Sequence, residues 1–165
     1  MNKYTKQLLN SNWEFQEEGT EKWMPASVPG CVHTDLINND KIVDPFIGIN
    51  EIDLQWISGK KWFYRLIFNL ETELINRTKV SLKFYGLDTY AEVFLNEKKI
   101  FFADNMFRPW VKDVKNLLKK NNNELIIKFL SPIATAQPLM KEKKYVLPAD
   151  NDKIKMTSPY TRKAP

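Results

Sequence analysis

Apolar and polar positions alternate with a period of two over several stretches of this chain. In "WFYRLIFNL", Trp62, Tyr64, Leu66, Phe68 and Leu70 share one face, and Phe63, Arg65 and Ile67 share the other. "KVSLKFY" sets Val80, Leu82 and Phe84 against Lys79, Ser81 and Lys83. "AEVFLN" sets Ala91, Val93 and Leu95 against Glu92, Phe94 and Asn96, and "ELIIKF" sets Leu125, Ile127 and Phe129 against Glu124, Ile126 and Lys128. Successive side chains of a strand point to opposite faces, so this pattern predicts antiparallel strands with one face on a core and one in water. "LNEKKI" predicts a hairpin between Leu95 and Ile100, and "NNNEL" a turn entering the strand at Leu125. "VKNLLKK" predicts a helical turn. Frequent strands with few helical patterns predict an all-β fold, an antiparallel β-sandwich or jelly roll.

Two regions break the alternation. Residues 23–61 read as loop-rich, with Pro25, Pro29, Gly30, Pro45, Gly48 and Gly59. Residues 131–165 carry five prolines and little periodicity. A structureless stretch of that length is uncommon in a compact domain, so it reads as chain that something else organises. No internal repeat or low-complexity tract is present.

Composition narrows the class. The 165 residues fit one domain, and 43% apolar with 13% aromatic content is that of a folded protein. No apolar run reaches about 18 residues, so no membrane span is expected. The start, "MNKYTKQLLNSNWEF", lacks the apolar core of a secretory signal. One cysteine forms no internal disulfide, which points to a cytoplasmic protein. "NRT" at Asn76 is a glycosylation sequon that matters only in a secretory pathway. The net charge of +5 raises nucleic-acid binding, but the basic residues fall in scattered pairs such as Lys60–Lys61 and Lys98–Lys99. A phosphate-tracking surface needs them on one face, so they read as solvated turns and no nucleic-acid partner is expected.

"PGCVHTDL" holds the sole cysteine and the sole histidine, Cys31 and His33, with Asp35 two further on. As a strand, it would set these three on one face with neighbours about 7 Å apart, beyond nucleophile–base contact. As a helical turn after Pro29–Gly30, it would stack Val32 on Leu36, and His33 and Asp35 would diverge by about 200° around the axis. Neither geometry builds a triad. Two Cys or His ligands also fall short of a structural zinc site, so no metal and no cofactor is expected.

In order along the chain come "NWEF" (12–15), "WMPASVPGCVHTDL" (23–36), "DPFIGINE" (44–51), "LQWI" (54–57) and "WFYR" (62–65). "GLDTYAEVFLN" (86–96), "DNMFRPW" (104–110), "YVLPAD" (145–150) and "YTRKA" (160–164) follow. This succession resembles the N-terminal domain of β-mannosidases, in glycoside hydrolase family 2. The resemblance implies a galactose-binding-like jelly roll, in agreement with the strand pattern. It also implies that further β-sandwich domains and a (β/α)₈ barrel follow, with both catalytic glutamates in the barrel. There the reaction is retaining hydrolysis of terminal β-D-mannosyl residues, by two carboxylates about 5–5.5 Å apart. A barrel takes about 200 residues or more, so no catalytic residue is assigned within this chain. After "YTRKA" the family continues into a Trp-Asp-Trp-Gly-Pro segment, whereas this chain has Pro165. The resemblance therefore implies a truncated domain, residues 1–165, lacking its last strands, whose partners are its own C-terminal domains and, through the barrel, a β-mannoside.

By the same resemblance "DPFIGINE" lies towards the barrel mouth, so that Asp44, Asn50 and Glu51 are candidates for shaping the pocket or the interdomain contact. The alternative is that Asp44 and Asn50 satisfy turn backbone. Trp56 and Trp110 are candidates for stacking on sugar C–H faces, against core or interdomain packing. Asn105 and Arg108 are further candidates, with Arg108 facing either a carboxylate across a domain boundary or a local one. Trp13, Trp23 and Trp62 read as core. A free-standing carbohydrate-binding module is the rival reading. An interrupted sandwich would also expose a sheet edge and self-associate.

Overall fold

The computed structural model describes residues 4–142. The alternating stretches are strands. In chain order they are β1 (Trp13–Glu17), β2 (Met24–Ala26), β3 (Trp62–Phe68), β4 (Ser81–Phe84), β5 (Ala91–Leu95), β6 (Lys98–Ala103), β7 (Trp110–Asp113) and β8 (Asn123–Phe129). A six-stranded sheet runs β2-β1-β3-β8-β5-β6, and β4 pairs with β7 in a second sheet. Every pairing is antiparallel.

The inward face of the large sheet is the predicted one. Phe15, Tyr64, Leu66, Val93, Leu95, Leu125 and Ile127 are all buried. Each such side chain contributes roughly 1.5–3 kcal/mol on leaving water. At the β6 end the second sheet covers this face: Trp110 stacks on Phe101 with ring centres 5.2 Å apart, and Phe84 meets Phe101 edge-on at 5.7 Å. At the β3 end helices do so. Leu36 from α1 (Val32–Asn38) and Ile57 from α3 (Trp56–Gly59) join the same core, and the Trp62 indole donates to the Ile57 carbonyl at 3.0 Å. Short helices α2 (Asn50–Asp53) and α4 (Thr72–Ile75) complete the first half.

The turns follow their chemistry. Asn96 and Glu97 take positive φ in the two-residue β5–β6 hairpin, as a primed turn requires. Asn123 is fully buried: its amide donates to the Lys119 carbonyl and its oxygen accepts from Lys119 N and from Asn96 Nδ2. "VKNLLKK" contains a 3₁₀ turn at Lys115–Leu117.

Three expectations need correction. The segment 23–61 carries β2 and three short helices, because turn-formers there separate single helical turns rather than dissolve them. In the proline-rich tail, residues 132–141 form α5 (Pro132–Lys141). Ser131 Oγ accepts from Ala134 N at 3.1 Å, and Pro132 opens the helix where its missing N–H costs nothing. The tail from residue 143 on, with "YVLPAD" and "YTRKA", lies outside the described residues. Trp23, read as core, is half-buried outside it: the Arg65 guanidinium lies 4.1 Å over its ring, and Arg65 also pairs with Glu14 at 2.7 Å. Arg65 occupies the outward face of β3, so Trp23 packs there too. No helix among the described residues is long and apolar enough to cross a membrane.

Candidate functional site

The segment "PGCVHTDL" folds in its helical alternative. Cys31 is extended and α1 begins at Val32. Asp35 turns inward and is 1% exposed. Its Oδ1 accepts from Ser27 N at 2.8 Å and its Oδ2 from the Tyr64 hydroxyl at 2.7 Å. Burial, then donation to the Asp35 carboxylate and the nearby negative charge, hold the Tyr64 phenol protonated well above its ordinary range. The Cys31 thiol is exposed, 3.2 Å from the Thr34 hydroxyl, and His33 is half-buried. The carboxylate thus braces α1 against β3 and the 27–30 loop. That loop turns so tightly on itself that a Cβ on Gly30 would lie 2.3 Å from the Ser27 carbonyl oxygen.

The "DPFIGINE" loop is stiffened by its own polar groups. Asp44 Oδ1 accepts from Phe46 N at 2.9 Å, and Asn50 Nδ2 donates to the Asp44 carbonyl at 2.9 Å. Gly48 supplies a positive φ of 61° between them. The Glu51 side chain is exposed, and its carbonyl accepts from Gln55 Nε2 at 2.9 Å. Trp56 is 40% exposed, with its ring 6.1 Å from Trp62. So Asp44 and Asn50 shape the turn, while Glu51 and part of Trp56 are exposed.

Asn105, Arg108 and Trp110 form a separate group. Asn105 Oδ1 accepts from Phe107 N at 2.8 Å, and its carbonyl accepts from the Trp110 indole at 3.1 Å. Arg108 lies 3.9 Å over the Trp110 ring and 3.9 Å from Asp104. Trp110 is 9% exposed, held between Phe101 and Arg108, so it offers little ring face to a sugar. Trp56 rests on β3 through Trp62, and Trp110 on β6 through Phe101. Those strands are three ladder steps apart, about 14 Å, so the candidates make two sites rather than one.

Two features were missed from sequence. One is the Asp35 brace. The other is the set of apolar side chains around "DPFIGINE", of which Phe46 is 93% and Ile49 70% exposed. Its signal was present: large apolar residues recur in a stretch whose turn-formers give them no periodic core face. Among the described residues no three His, Cys, Asp or Glu groups lie close enough to hold a metal ion.

A large antiparallel sheet backed by a small one, with its polar candidates in the connecting loops, defines a galactose-binding-like β-sandwich domain. The chain belongs to the glycosyl hydrolase 2 galactose-binding domain-like family, whose profile matches residues 13–165. It is 38% identical over 128 residues to a β-mannosidase of Capra hircus, covering 78% of this chain and 14% of that protein. It is 40% identical over 124 residues to β-mannosidase B of Thermothelomyces thermophilus, covering 73% and 14%. The crystal structure of a β-D-mannosidase from Dictyoglomus thermophilum superposes with a TM-score of 0.83 at 40% identity, covering 87% of this chain and 18% of that one. A β-D-glucuronidase from the same organism matches with a TM-score of 0.56 at 17% identity, covering 75% and 19%, a likeness of fold alone. The chain therefore spans about a seventh to a fifth of the length of these relatives.

Proposed function

We propose that this chain is the non-catalytic N-terminal domain of a β-mannosidase, an enzyme that hydrolyses terminal β-D-mannosyl residues with retention. The observation that carries the reading is the contrast in likeness: 40% identity with a TM-score of 0.83 to a β-mannosidase, against 17% and 0.56 to a β-glucuronidase. In this reading the two carboxylates stand in a barrel elsewhere in the polypeptide, about 5–5.5 Å apart. This domain contributes positioning. The Asp44–Asn50 turn presents Glu51 and Trp56 towards the barrel mouth, where a carboxylate and a flat ring suit sugar hydroxyls and C–H faces. Arg108 and Asn105 serve a second contact with the same polypeptide. The partners are therefore its own C-terminal domains, and no nucleic acid. Lys60, Lys61 and Lys99, among the paired lysines, are matched by Glu17, Glu18 and Glu92. An exposed unpaired Cys31 thiol supports a cytoplasmic setting.

The test is turnover of aryl glycosides by the product of the complete reading frame that contains this chain. The expected result is hydrolysis of the β-mannoside well above the β-glucuronide and β-galactoside, with none from the 165-residue chain alone. Preference for another glycoside, or turnover by the isolated chain, would sink the proposal. The partly exposed Trp56 favours a second reading, a free-standing carbohydrate-binding module. Calorimetric titration of the isolated chain with manno-oligosaccharides, lost on Trp56→Ala, would establish that one instead.

A further inference from the structure

Tyr85 is 72% exposed and Phe107 80%, on two loops that touch. Phe84, next to Tyr85 in sequence, pairs with Trp110 across β4 and β7. On the other side of Tyr85, a Cβ on Gly86 would lie 3.1 Å from the Met106 carbonyl oxygen. The contacts flanking Tyr85 thus bracket Phe107. Both rings are held in place. The Lys83 ammonium lies 4.4 Å over the Tyr85 ring, and Asn105 Oδ1 accepts from Phe107 N at 2.8 Å. The Asn105 carbonyl is fixed in turn by the indole of buried Trp110 at 3.1 Å. Rings already oriented lose little further freedom when a ligand covers them.

The surroundings indicate the class of ligand. Loops 85–90 and 104–109 expose no other large aliphatic or aromatic side chain, so the two rings stand among polar groups rather than in a continuous apolar face. Asp88 and Asp104 balance Arg108 and the adjoining Lys83, leaving no net charge. All four of these residues are exposed, and together they supply donors and acceptors. A polyanion needs an excess of cations, and a protein partner needs a continuous apolar centre. Sugar rings instead offer apolar C–H faces that lie flat on aromatic rings, with hydroxyl edges that take both kinds of hydrogen bond. We propose that Tyr85 and Phe107 form a binding site for a neutral polysaccharide chain, separate from Trp56 and holding the body of a long substrate rather than its reacting end. The choice of a β-linked mannan as that chain rests on the β-mannosidase reading above; the site itself rests on the two rings and their balanced charges.

Affinity electrophoresis tests it, in native gels with and without soluble galactomannan, on the 165-residue chain and on the product of the complete reading frame. Galactomannan should retard both, and Tyr85→Ala with Phe107→Ala should weaken the binding at least about tenfold. The double variant should keep the circular dichroism of the unaltered chain, since neither ring belongs to the core. Tyr4→Ala, which removes a ring 95% exposed elsewhere, should bind as before. Unretarded wild-type protein would overturn the proposal. So would retardation of the 165-residue chain alone, because the rest of the polypeptide would then cover the rings. Binding lost on Trp56→Ala but kept in the double variant would place the sugar on the other loop and reject this site. Retardation by dextran sulfate in place of galactomannan, fading with salt, would make the ligand a polyanion and reject it too. Turnover of an aryl β-mannoside by the complete product separates the two readings. Turnover without retardation rejects this site alone, and retardation without turnover rejects the hydrolase reading and leaves the site standing.

Discussion

Removing the Asp35 carboxylate should cost this domain a large part of its stability. The side chain is 1% exposed and accepts two hydrogen bonds, from Ser27 N at 2.8 Å and from Tyr64 Oη at 2.7 Å. Hydrogen bonds to a charged acceptor contribute about 1.5–3 kcal/mol each, and donors stranded in the interior lose their solvation as well. Asp35→Ala leaves both donors without that acceptor and should destabilise by about 3–5 kcal/mol. Asp35→Asn keeps one acceptor oxygen but turns an NH₂ towards the other donor, and should cost about 2–3 kcal/mol. Tyr64→Phe removes one donor and leaves the carboxylate its bond to Ser27, at about 1–2 kcal/mol. A domain of this size holds only about 5–15 kcal/mol in total, so the differences are readily measured. Urea unfolding followed by tryptophan fluorescence reports on them, because Trp13 and Trp62 are buried in the core. The double-mutant cycle between Asp35→Asn and Tyr64→Phe should return a coupling of about 1–2 kcal/mol. A coupling below about 0.3 kcal/mol would show that the two side chains do not share the bond on which this reasoning depends.

The Tyr64 phenol, held protonated by burial and by Asp35, makes stability depend on alkaline pH. Below pH about 10, the ordinary phenol value, its contribution is complete. Above that, the native state retains a proton that the unfolded chain has released. Wild-type stability should then fall by about 1.4 kcal/mol per pH unit relative to Tyr64→Phe, and a constant gap in urea unfolding between pH 9 and 11 would refute this. Gly30→Ala puts a Cβ 2.3 Å from the Ser27 carbonyl oxygen, so the backbone must shift; a loss of about 2–4 kcal/mol is expected, and an unchanged thermal midpoint would contradict it. Cys31→Ser changes an exposed atom beside the Thr34 hydroxyl and should move stability by no more than about 0.5 kcal/mol in the same unfolding assay.

How much of this was legible beforehand depends on the range of the physics involved. The strand faces were readable because alternation is local: Trp62, Tyr64 and Leu66 point inward by the same pleat that turns Arg65 outward. The β5–β6 hairpin was readable because Asn tolerates positive φ. The start of α5 was written in Ser131–Pro132, a cap followed by a first-turn proline, but Pro138 and the surrounding prolines masked it. Trp23 was misread because an isolated aromatic in a loop carries no periodicity, and only the Arg65 guanidinium laid over it shows which face of the sheet it covers.

For the candidate site, the turn chemistry of Asp44 and Asn50 was legible as one of two alternatives, since short polar side chains bond to backbone a few residues away. Residue identity alone left open whether Trp56 or Trp110 would be the exposed ring. Burial is a property of what packs on a side chain. Phe101, 9 positions away in sequence and across the sandwich, is what encloses Trp110.

The sequence by itself determined the period of each strand, the turns that separate them and the family to which they belong, because those follow from backbone sterics and from the order of short motifs. Local geometry already excluded a triad, but tertiary structure alone decided that Asp35 is a buried brace, since its partners, Ser27 and Tyr64, lie 8 and 29 residues away. It alone decided that the side chains of 43–56 stand in water above an anchored base. Such contacts arise only when distant segments are brought together, and no local pattern encodes them.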